Sequence, residues 1–327
     1  MRPRLGFLGV GWIGRARLEA LARSGTAAVA AVADVDGSAA AAVAAAHGAE
    51  VMAPEALLEG RPGLDGVVIA TPNAGHAAEA TAALSAGLAV FCQKPLGRTA
   101  PECEAVVRAA RSADLLLGVD LSYRHLAAVA AIRAVIARGS LGDLYAADLV
   151  FHNAYGPDRA WYTDPSRAGG GCVIDLGIHL VDLALWLLGP ATVEAVTARL
   201  FAGGRPLGDL PGGVEDYAVA RLDLSSGAVA TMACSWFLHA GRDAVISASF
   251  HGTSGSVSVG NVGGSFHDFR ASHATGTASA VIAEPPDDWG GRALVRWAEG
   301  LAHGRGFSEE ALEVVAVARV LDRIYGR

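Results

Sequence analysis

The sequence predicts an α/β protein: an N-terminal, doubly wound parallel sheet followed by an α+β domain with an open, mainly antiparallel sheet. Three observations support this prediction. Apolar strands alternate with helix-like segments as far as a strand predicted at 115–121, a glycine-rich turn follows the first strand, and residues after 142 alternate between apolar and polar. Alternating strands and helices are typical of parallel sheets, and residue-by-residue alternation is typical of half-buried strands. We therefore predict domains at 1–122 and 123–327, and leave open whether the C-terminal helices pack back on the first domain.

The composition indicates a folded, acidic chain. Of its 327 residues, 52% are hydrophobic and 18% are charged, and the formal net charge is −7. Such a chain can bury a core in each domain, and its acidity argues against a nucleic-acid or membrane surface. The four cysteines lack CxxC spacing, no signal-peptide pattern opens the chain, and the apolar run 172–189 contains three ionisable groups. We predict a cytoplasmic protein without nucleic-acid or membrane partners.

A dinucleotide-binding pattern opens the chain. The apolar segment LGFLGV leads into GVGWIG, which spaces Gly9, Gly11 and Gly14 as GxGxxG before a helix-like segment, and the next strand ends at Asp34. The first glycine permits a tight turn, the second admits the pyrophosphate, and the third lets helix and strand pack closely. The helix N-terminus attracts the phosphates. These features predict a Rossmann domain.

The acidic residue at the end of the second strand favours NAD over NADP. Asp34 can accept hydrogen bonds from both hydroxyls of the adenosine ribose but would repel a 2′-phosphate, and no Lys or Arg follows it in VDGSAAAAVAAAHG. Ligands of such sheets bind beyond the carboxyl ends of the strands. The candidate cofactor residues are Gly9, Gly11, Trp12, Ile13, Gly14, Asp34, Thr71, Pro72, Asn73, His76, Gln93 and Lys94.

In the second domain, an Asp and a His interrupt an apolar, helix-like stretch. Asp175 and His179 are four residues apart, so on a helix they share one face, and the glycines at 169–171 are expected to let the chain pass close to a ligand. The pair could be a hydrogen-bonded core pair, a metal site that includes Asp182, or a catalytic pair. No His or Cys cluster flanks these residues, so we predict no metal, and we place Asp182 either behind the site or at the surface.

Three motifs, GVGWIG, VFCQKPLGRT and GGGCVIDLGIHLVD, together resemble one family. It is the family of glucose-fructose oxidoreductase, inositol dehydrogenase and rhizopine-catabolism proteins (Gfo/Idh/MocA), and the resemblance runs from residue 4 to about 190. It implies a Rossmann domain followed by an open antiparallel sheet. It also implies oxidation or reduction of a sugar, polyol or similar compound with NAD(P).

The resemblance assigns catalytic groups. Lys94 occupies the place of the lysine in the family's Glu-Lys-Pro motif, beside nicotinamide and substrate, and Asp175 and His179 occupy the place of its Asp-x-x-x-His pair. Alcohol oxidation needs a base for the hydroxyl proton and a group that stabilises the developing alkoxide. We predict His179 as the base, Lys94 at the reacting oxygen, and Asp175 as an orienting group. Whether Lys94 or His179 accepts the proton stays open.

One residue departs from the family motif, because Gln93 stands where the family usually has glutamate. Glutamine keeps hydrogen-bonding capacity but removes a negative charge beside Lys94. The change either tunes Lys94 or marks a chain that has left oxidoreduction. Two other functions stay open. The resemblance allows an NAD-dependent enzyme that cleaves glycosides through transient oxidation, as some relatives do, and Gln93 allows a nucleotide-binding regulator without turnover.

The remaining predictions concern the substrate and partners. Asn73 and His76 resemble the family's strand-end turn near the nicotinamide half of the cofactor; the alternative is a helix N-cap with a surface histidine. The loop at 152–167 is rich in aromatic and hydrogen-bonding groups, which suits a small-molecule substrate. The open sheet predicts a homo-oligomer, a dimer or a tetramer. The candidate substrate contacts are Tyr123, Arg124, His152, Asn153, Tyr155, Trp161, Asp175 and His179.

Overall fold

A computed structural model describes residues 2–60, 63–209 and 212–327, and its contacts divide the chain into two compact units. Unit 1 runs to Ser122 and also includes Gly290–Ala318. Unit 2 comprises Tyr123–Trp289 and Arg319–Arg327. Most of the C-terminal helical segment therefore belongs to the first unit.

In unit 1, the described residues form one sheet of six parallel strands. The strands are β1 (Arg4–Leu8), β2 (Ala28–Ala33), β3 (Glu50–Val51), β4 (Gly66–Ile69), β5 (Ala89–Cys92) and β6 (Leu117–Val119). They lie in the order β3-β2-β1-β4-β5-β6. Successive strands are added toward one edge of the sheet from β1 to β3 and toward the other edge from β4 to β6, so the direction of winding reverses between β1 and β4. Doubly wound sheets bind their ligands at that reversal.

In unit 2, the described residues form a second sheet, of nine strands. The strands are β7 (Leu144–Asn153), β8 (Val193–Ala202), β9 (Arg205–Pro206), β10 (Tyr217–Leu224), β11 (Val229–Ser235), β12 (Ala244–Gly252), β13 (Ser256–Asn261), β14 (Phe269–Thr275) and β15 (Ala278–Ala283). Their order is β15-β14-β13-β12-β7-β11-β10-β8-β9. Only the β7–β11 pairing within this described sheet is parallel. The predicted fold class is confirmed.

The helices flank these sheets. They are α1 (Trp12–Ser24), α2 (Gly37–His47), α3 (Pro54–Leu58), α4 (Asn73–Ser85), α5 (Ala100–Ala113), α6 (Ala127–Ala137), α7 (Pro165–Ala168), α8 (Ile178–Leu188), α9 (Arg292–Ala302) and α10 (Ala311–Tyr325). The helical run Pro165–Leu188 is long and apolar enough to cross a membrane by composition alone, with a mean hydropathy of 1.8. In the folded chain 78% of that window is buried, as is typical of a core helix.

Helix α9 supplies part of the core of unit 1. The Trp297 ring packs on the Phe91 ring of β5, with 5.8 Å between the ring centroids. A Cβ at Gly118 would lie 2.6 Å from the same indole, so β6 needs a glycine there. Aromatic packing of this kind ties a helix that is distant in sequence to the sheet.

In unit 2, α6 and α8 pack against the sheet. Along β7, Ala147, Leu149 and Phe151 are buried, whereas Asp148 and Val150 between them are more exposed. This alternation is the one expected of a sheet with a single covered face.

Candidate functional site

The turn between β1 and α1 uses its three glycines differently. Gly9 has a φ of +86°, and a Cβ there would lie 2.6 Å from the carbonyl oxygen of Ala70. A Cβ on Gly14 would lie 2.1 Å from the carbonyl oxygen of Gly9. Gly11 has a φ of −60°, and among the described residues no atom lies within 4 Å of the Cβ it would carry. Gly9 and Gly14 therefore serve backbone packing, whereas Gly11 keeps a space open.

That space fits a pyrophosphate. It lies at the N-terminus of α1, where Gly11 is the N-cap and no side chain in the described part of the chain caps the first N–H groups. Free N–H groups and the helix dipole bind phosphate oxygens. Trp12, at the first position of the helix, is 80% exposed, and Ile13 is partly buried. The residues present at this turn thus suit the cofactor that the motif predicts.

We expect Gly14→Ala to destabilise unit 1, and Gly11→Ala to leave the fold intact while weakening NAD binding. The first change drives a methyl group into the Gly9 carbonyl, and overpacking of this kind costs about 1–3 kcal/mol or more. The second fills the space beside the helix N-terminus. Thermal unfolding and NAD titration of both variants check this. Equal stability losses, or unchanged NAD affinity in Gly11→Ala, would contradict it.

Asp34 follows β2, and its carboxylate is fixed on the same turn. Oδ2 accepts a hydrogen bond from the backbone N–H of Val10 (2.7 Å), and Oδ1 accepts one from the N–H of Asp36 (2.9 Å). An ionised carboxylate offers about four acceptor positions, so capacity is left for ribose hydroxyls. This placement agrees with the predicted ribose contact.

His76 joins the loops that follow β4 and β5. Its Nδ1 lies 2.7 Å from the carbonyl oxygen of Pro95, and its Nε2 lies 2.7 Å from the carbonyl oxygen of Thr71. Burial lowers the pKa of His76, while these two contacts act in the opposite direction. The alternative of a surface histidine beside an Asn73 N-cap is wrong, because Pro72 is the N-cap and the His76 ring is 1% exposed.

Gln93 belongs to a buried cluster with Asp120 and Arg17, two residues that the sequence analysis missed. Its Nε2 donates to Oδ2 of Asp120 (2.6 Å), and Nε of Arg17 donates to the same oxygen (2.6 Å). All three side chains are buried. The predicted strand at 115–121 hid Asp120, because β6 ends at Val119 and Asp120 is the residue that follows it. The strand-end rule would have found it with the correct boundary.

Lys94 follows Gln93 on the same edge of the sheet and is partly buried. Of the 26 lysine and arginine residues in the chain, Lys94 is the only lysine. Arginine stays protonated in proteins, whereas a lysine amine can exchange its proton. The sequence therefore carries a signal for Lys94 that motif reading did not use.

Asp175 and His179, in unit 2, lie on an irregular segment. Val173–Gly177 is a π-helical turn that leads into α8, and such turns occur frequently at functional sites. Oδ2 of Asp175 accepts a hydrogen bond from Nε1 of Trp236 (3.1 Å). The buried His179 ring lies 4.8 Å, between centroids, from the ring of Tyr123. Trp236 and Tyr123 thus contact the two predicted catalytic groups within this unit.

A buried carboxylate, Glu215, fixes the chain that enters this turn. It accepts hydrogen bonds from the N–H groups of Gly171 (3.0 Å) and Val173 (2.8 Å), and from the hydroxyl of Tyr325 (2.7 Å). Cβ atoms at Gly170 and Gly171 would lie 2.0 Å from the Tyr325 hydroxyl and 1.9 Å from the Glu215 carbonyl oxygen. The expectation that these glycines admit a ligand is therefore wrong at these two positions, since they pack against protein.

Asp182 is not at the surface. Both of its oxygens accept hydrogen bonds from Nε of Arg124 (3.0 and 2.8 Å), and Asp182 is 1% exposed. The Arg124 guanidinium also lies over the Trp186 ring. Arg124 is thus held by an ion pair within unit 2, and its contact with a substrate stays a prediction. Across the described ranges, no three His, Cys, Asp or Glu side chains group as metal ligands.

The other candidate substrate contacts lie along β7 and the loop after it. Nδ1 of His152 lies 2.7 Å from the hydroxyl oxygen of Ser235, and burial lowers the pKa of His152. Oδ1 of Asn153 is buried and has no hydrogen-bond partner within the described part of the chain. Tyr155 is 51% exposed, and Trp161 stacks on the next ring along the chain at 3.8 Å. Their contact with a substrate stays a prediction.

Family models match both parts of the chain. The model described as "Oxidoreductase family, NAD-binding Rossmann fold" matches residues 4–121, and the Gfo/Idh/MocA C-terminal domain model matches residues 129–258. Together they cover well over half of the sequence.

Characterised relatives agree with this match. The chain is 34% identical to 1,5-anhydro-D-fructose reductase of Ensifer adhaerens over 63% of its own length and 60% of the reductase, so it spans less than two thirds of that relative. It is 32% identical to inositol 2-dehydrogenase of Rhizobium meliloti (strain 1021) over 80% of its length and 76% of that enzyme. A structure of levoglucosan dehydrogenase with NADH and L-sorbose shares the fold, with a TM-score of 0.86 at 24% identity, covering 100% of this chain and 96% of the other. The chain therefore belongs to the Gfo/Idh/MocA family of oxidoreductases and has its NAD-binding Rossmann domain, which confirms the predicted family and cofactor.

Proposed function

We propose that the chain is an NAD-dependent dehydrogenase or reductase that transfers a hydride between nicotinamide and a hydroxyl or ketone carbon of a sugar, inositol or related polyol. One observation carries this proposal. The only lysine of the chain follows Gln93 at the ligand-binding edge of an NAD-binding sheet. Arginine supplies every other basic side chain apart from histidine, so position 94 differs in carrying a compact ammonium group, which can approach a reacting oxygen as a point charge.

The roles follow from alcohol oxidation. Bound NAD supplies the hydride acceptor. Lys94 donates a hydrogen bond to the reacting oxygen and stabilises its developing negative charge. His179 accepts the hydroxyl proton, and Asp175, oriented by Trp236, directs the substrate or the imidazole. In the reduction direction the same groups return the proton to the oxygen.

The relatives support the substrate class. Proteins named 1,5-anhydro-D-fructose reductase, inositol 2-dehydrogenase and levoglucosan dehydrogenase share a sugar- or polyol-like substrate in their names. The alternative function, a nucleotide-binding regulator without turnover, depended on the presence of Gln93 in place of the family's glutamate. That side chain is engaged by Asp120, a carboxylate at the next strand end, so the glutamine does not remove negative charge from this edge.

We also propose a cytoplasmic homo-oligomer, a dimer or a tetramer. The free, buried cysteines suit a reducing compartment. Apolar side chains such as Val150, Val219 and Val245 alternate with the buried positions of the unit 2 sheet and supply an apolar surface for a second copy. Sedimentation velocity tests this proposal, and a monomer at micromolar concentration would contradict it.

The function is tested by absorbance at 340 nm with NAD or NADP and a panel of polyols, inositols and aldoses. We expect NADH formation with one class of compound, a preference for NAD, and loss of turnover in His179→Ala. A matched control is His47→Ala, at the C-terminal end of α2. Tightly bound NAD with cleavage of a glycoside and no net NADH would favour the glycoside-cleaving enzyme instead. NAD binding with no turnover of any compound would favour the regulator.

A further inference from the structure

In the buried cluster of Arg17, Asp120 and Gln93, the two carboxylate oxygens of Asp120 differ in their hydrogen bonds. Oδ2 of Asp120 accepts two hydrogen bonds, from Arg17 and Gln93, each at 2.6 Å. Oδ1 of Asp120 is buried and has no hydrogen-bond partner among the residues that the structure describes. The whole residue is 1% exposed. One oxygen is therefore saturated, and the other lacks a donor.

An oxygen in that state points to a ligand. Burying a carboxylate oxygen without a hydrogen bond is costly, and buried polar atoms are nearly always paired in folded proteins. Asp120 directly follows β6, and Gln93 directly follows β5, so both stand at the carboxyl edge where doubly wound sheets bind ligands. A donor from a bound molecule would complete the set.

The sheet topology indicates which part of the ligand supplies that donor. The order β3-β2-β1-β4-β5-β6 consists of two mononucleotide-binding halves, so β5 stands to β4 as β2 stands to β1. Asp34 follows β2, where the adenosine ribose binds. Gln93 follows β5, at the corresponding place in the second half, but it is neutral. The carboxylate that Gln93 contacts comes from Asp120, one strand further along.

We propose that Asp120, oriented by Arg17 and Gln93, is the carboxylate that accepts a hydrogen bond from a hydroxyl of the nicotinamide-half ribose of NAD. The ligand chemistry is a ribose diol attached to a pyrophosphate. Gln93 donates an amide N–H to Asp120, so the two side chains act together, and the negative charge that the family places at position 93 is carried by Asp120. The inference rests on the proposed NAD-dependent function and names a further cofactor-binding residue for it.

The test compares three ligands by calorimetric titration: ADP, which ends before the second ribose, ADP-ribose and NAD. In Asp120→Asn, the oxygen that faces Arg17 and Gln93 is retained, but the charge is lost. We expect the dissociation constants of NAD and ADP-ribose to rise roughly ten- to a hundredfold, as for other hydrogen bonds to charged groups, with that of ADP unchanged. Asp65→Asn is the control, since this exposed carboxylate precedes β4 at the opposite edge; it should alter none of the three.

Each other result overturns the proposal. Unchanged NAD affinity in Asp120→Asn would make the cluster a structural ion pair. Equal weakening of ADP would show damage to the fold rather than a lost contact. Weakening of NAD with normal ADP-ribose binding would place the contact on the nicotinamide and not on the ribose.

A charge exchange gives a second test that does not depend on the stability of Asp120→Asn. Gln93→Glu alone sets two carboxylates side by side and should also weaken ADP-ribose, whereas Gln93→Glu combined with Asp120→Asn restores one carboxylate, one amide and a partner for Arg17. We expect the double variant to bind ADP-ribose more tightly than either single variant, and additive losses would overturn the proposal. Because binding is measured without turnover, an inactive protein that still shows this pattern would refute the proposed function and leave this inference standing.

Discussion

Replacing Lys94 by alanine is expected to lower kcat by about 10²–10⁴-fold, while the dissociation constant of NAD stays close to that of the unchanged chain. The amine acts at the reacting oxygen, whereas the glycine turn and Asp34 hold the cofactor. The loop stays in place because its neighbour Pro95 is contacted by His76. Steady-state kinetics at 340 nm and NAD titration check both halves of the prediction.

The composition of the chain sharpens this experiment. Lys94→Arg keeps the positive charge but replaces a compact ammonium group by a larger, planar guanidinium, which does not take the same position at the reacting oxygen, so it should be nearly as inactive as the alanine variant. Because Lys94 is the only lysine, reductive methylation modifies only this side chain and the N-terminal amine. We expect modification to inactivate the protein in step with labelling of Lys94. An active Lys94→Arg variant would show that a positive charge at position 94 is sufficient and that the amine is not required. Loss of NAD binding together with activity would show that Lys94 holds the cofactor instead.

Replacing Glu215 by alanine is expected to lower the free energy of unfolding by about 3–5 kcal/mol, since each buried donor left without an acceptor costs about 1–3 kcal/mol. The change leaves the N–H groups of Gly171 and Val173 and the Tyr325 hydroxyl without their acceptor in the interior of unit 2. It also frees the chain that leads into the π turn of Asp175, so kcat should fall beyond the loss of folded protein. Denaturant unfolding measures the loss of stability, and kcat per folded molecule measures the effect on catalysis.

Glu215→Gln is the matched control, and its effect should depend on pH. Burial raises the pKa of Glu215, so the folded chain favours the protonated carboxyl relative to its ordinary value of 4.5. The contribution of Glu215 to stability is therefore largest below that value and falls as pH rises through the raised pKa. Glutamine does not titrate, so the stability of Glu215→Gln relative to the unchanged chain should improve as pH increases above 4.5. A difference independent of pH would contradict this assignment.

Much of the nucleotide half could be predicted because its determinants are local. A glycine with a positive φ, a helix N-terminus and an acidic residue at a strand end each depend on a few consecutive residues. Asp120 was missed because apolar patterning fixes strand boundaries poorly, and LLLGVDL extends the pattern past the true end of β6. That Lys94 is the only lysine of the chain can be found by counting residue types in the sequence.

By itself, the sequence determined the order of strands and helices, the dinucleotide turn and the chemical types of the candidate catalytic groups, since hydrophobic periodicity and backbone preferences are short-range properties of the chain. Only the tertiary structure decided the partners of those groups. Arg17 and Asp120 are 103 residues apart, and Glu215 and Tyr325 are 110 apart, so no local pattern connects them. Their pairing arises because burial forces each polar group to find a partner wherever the folded chain supplies one.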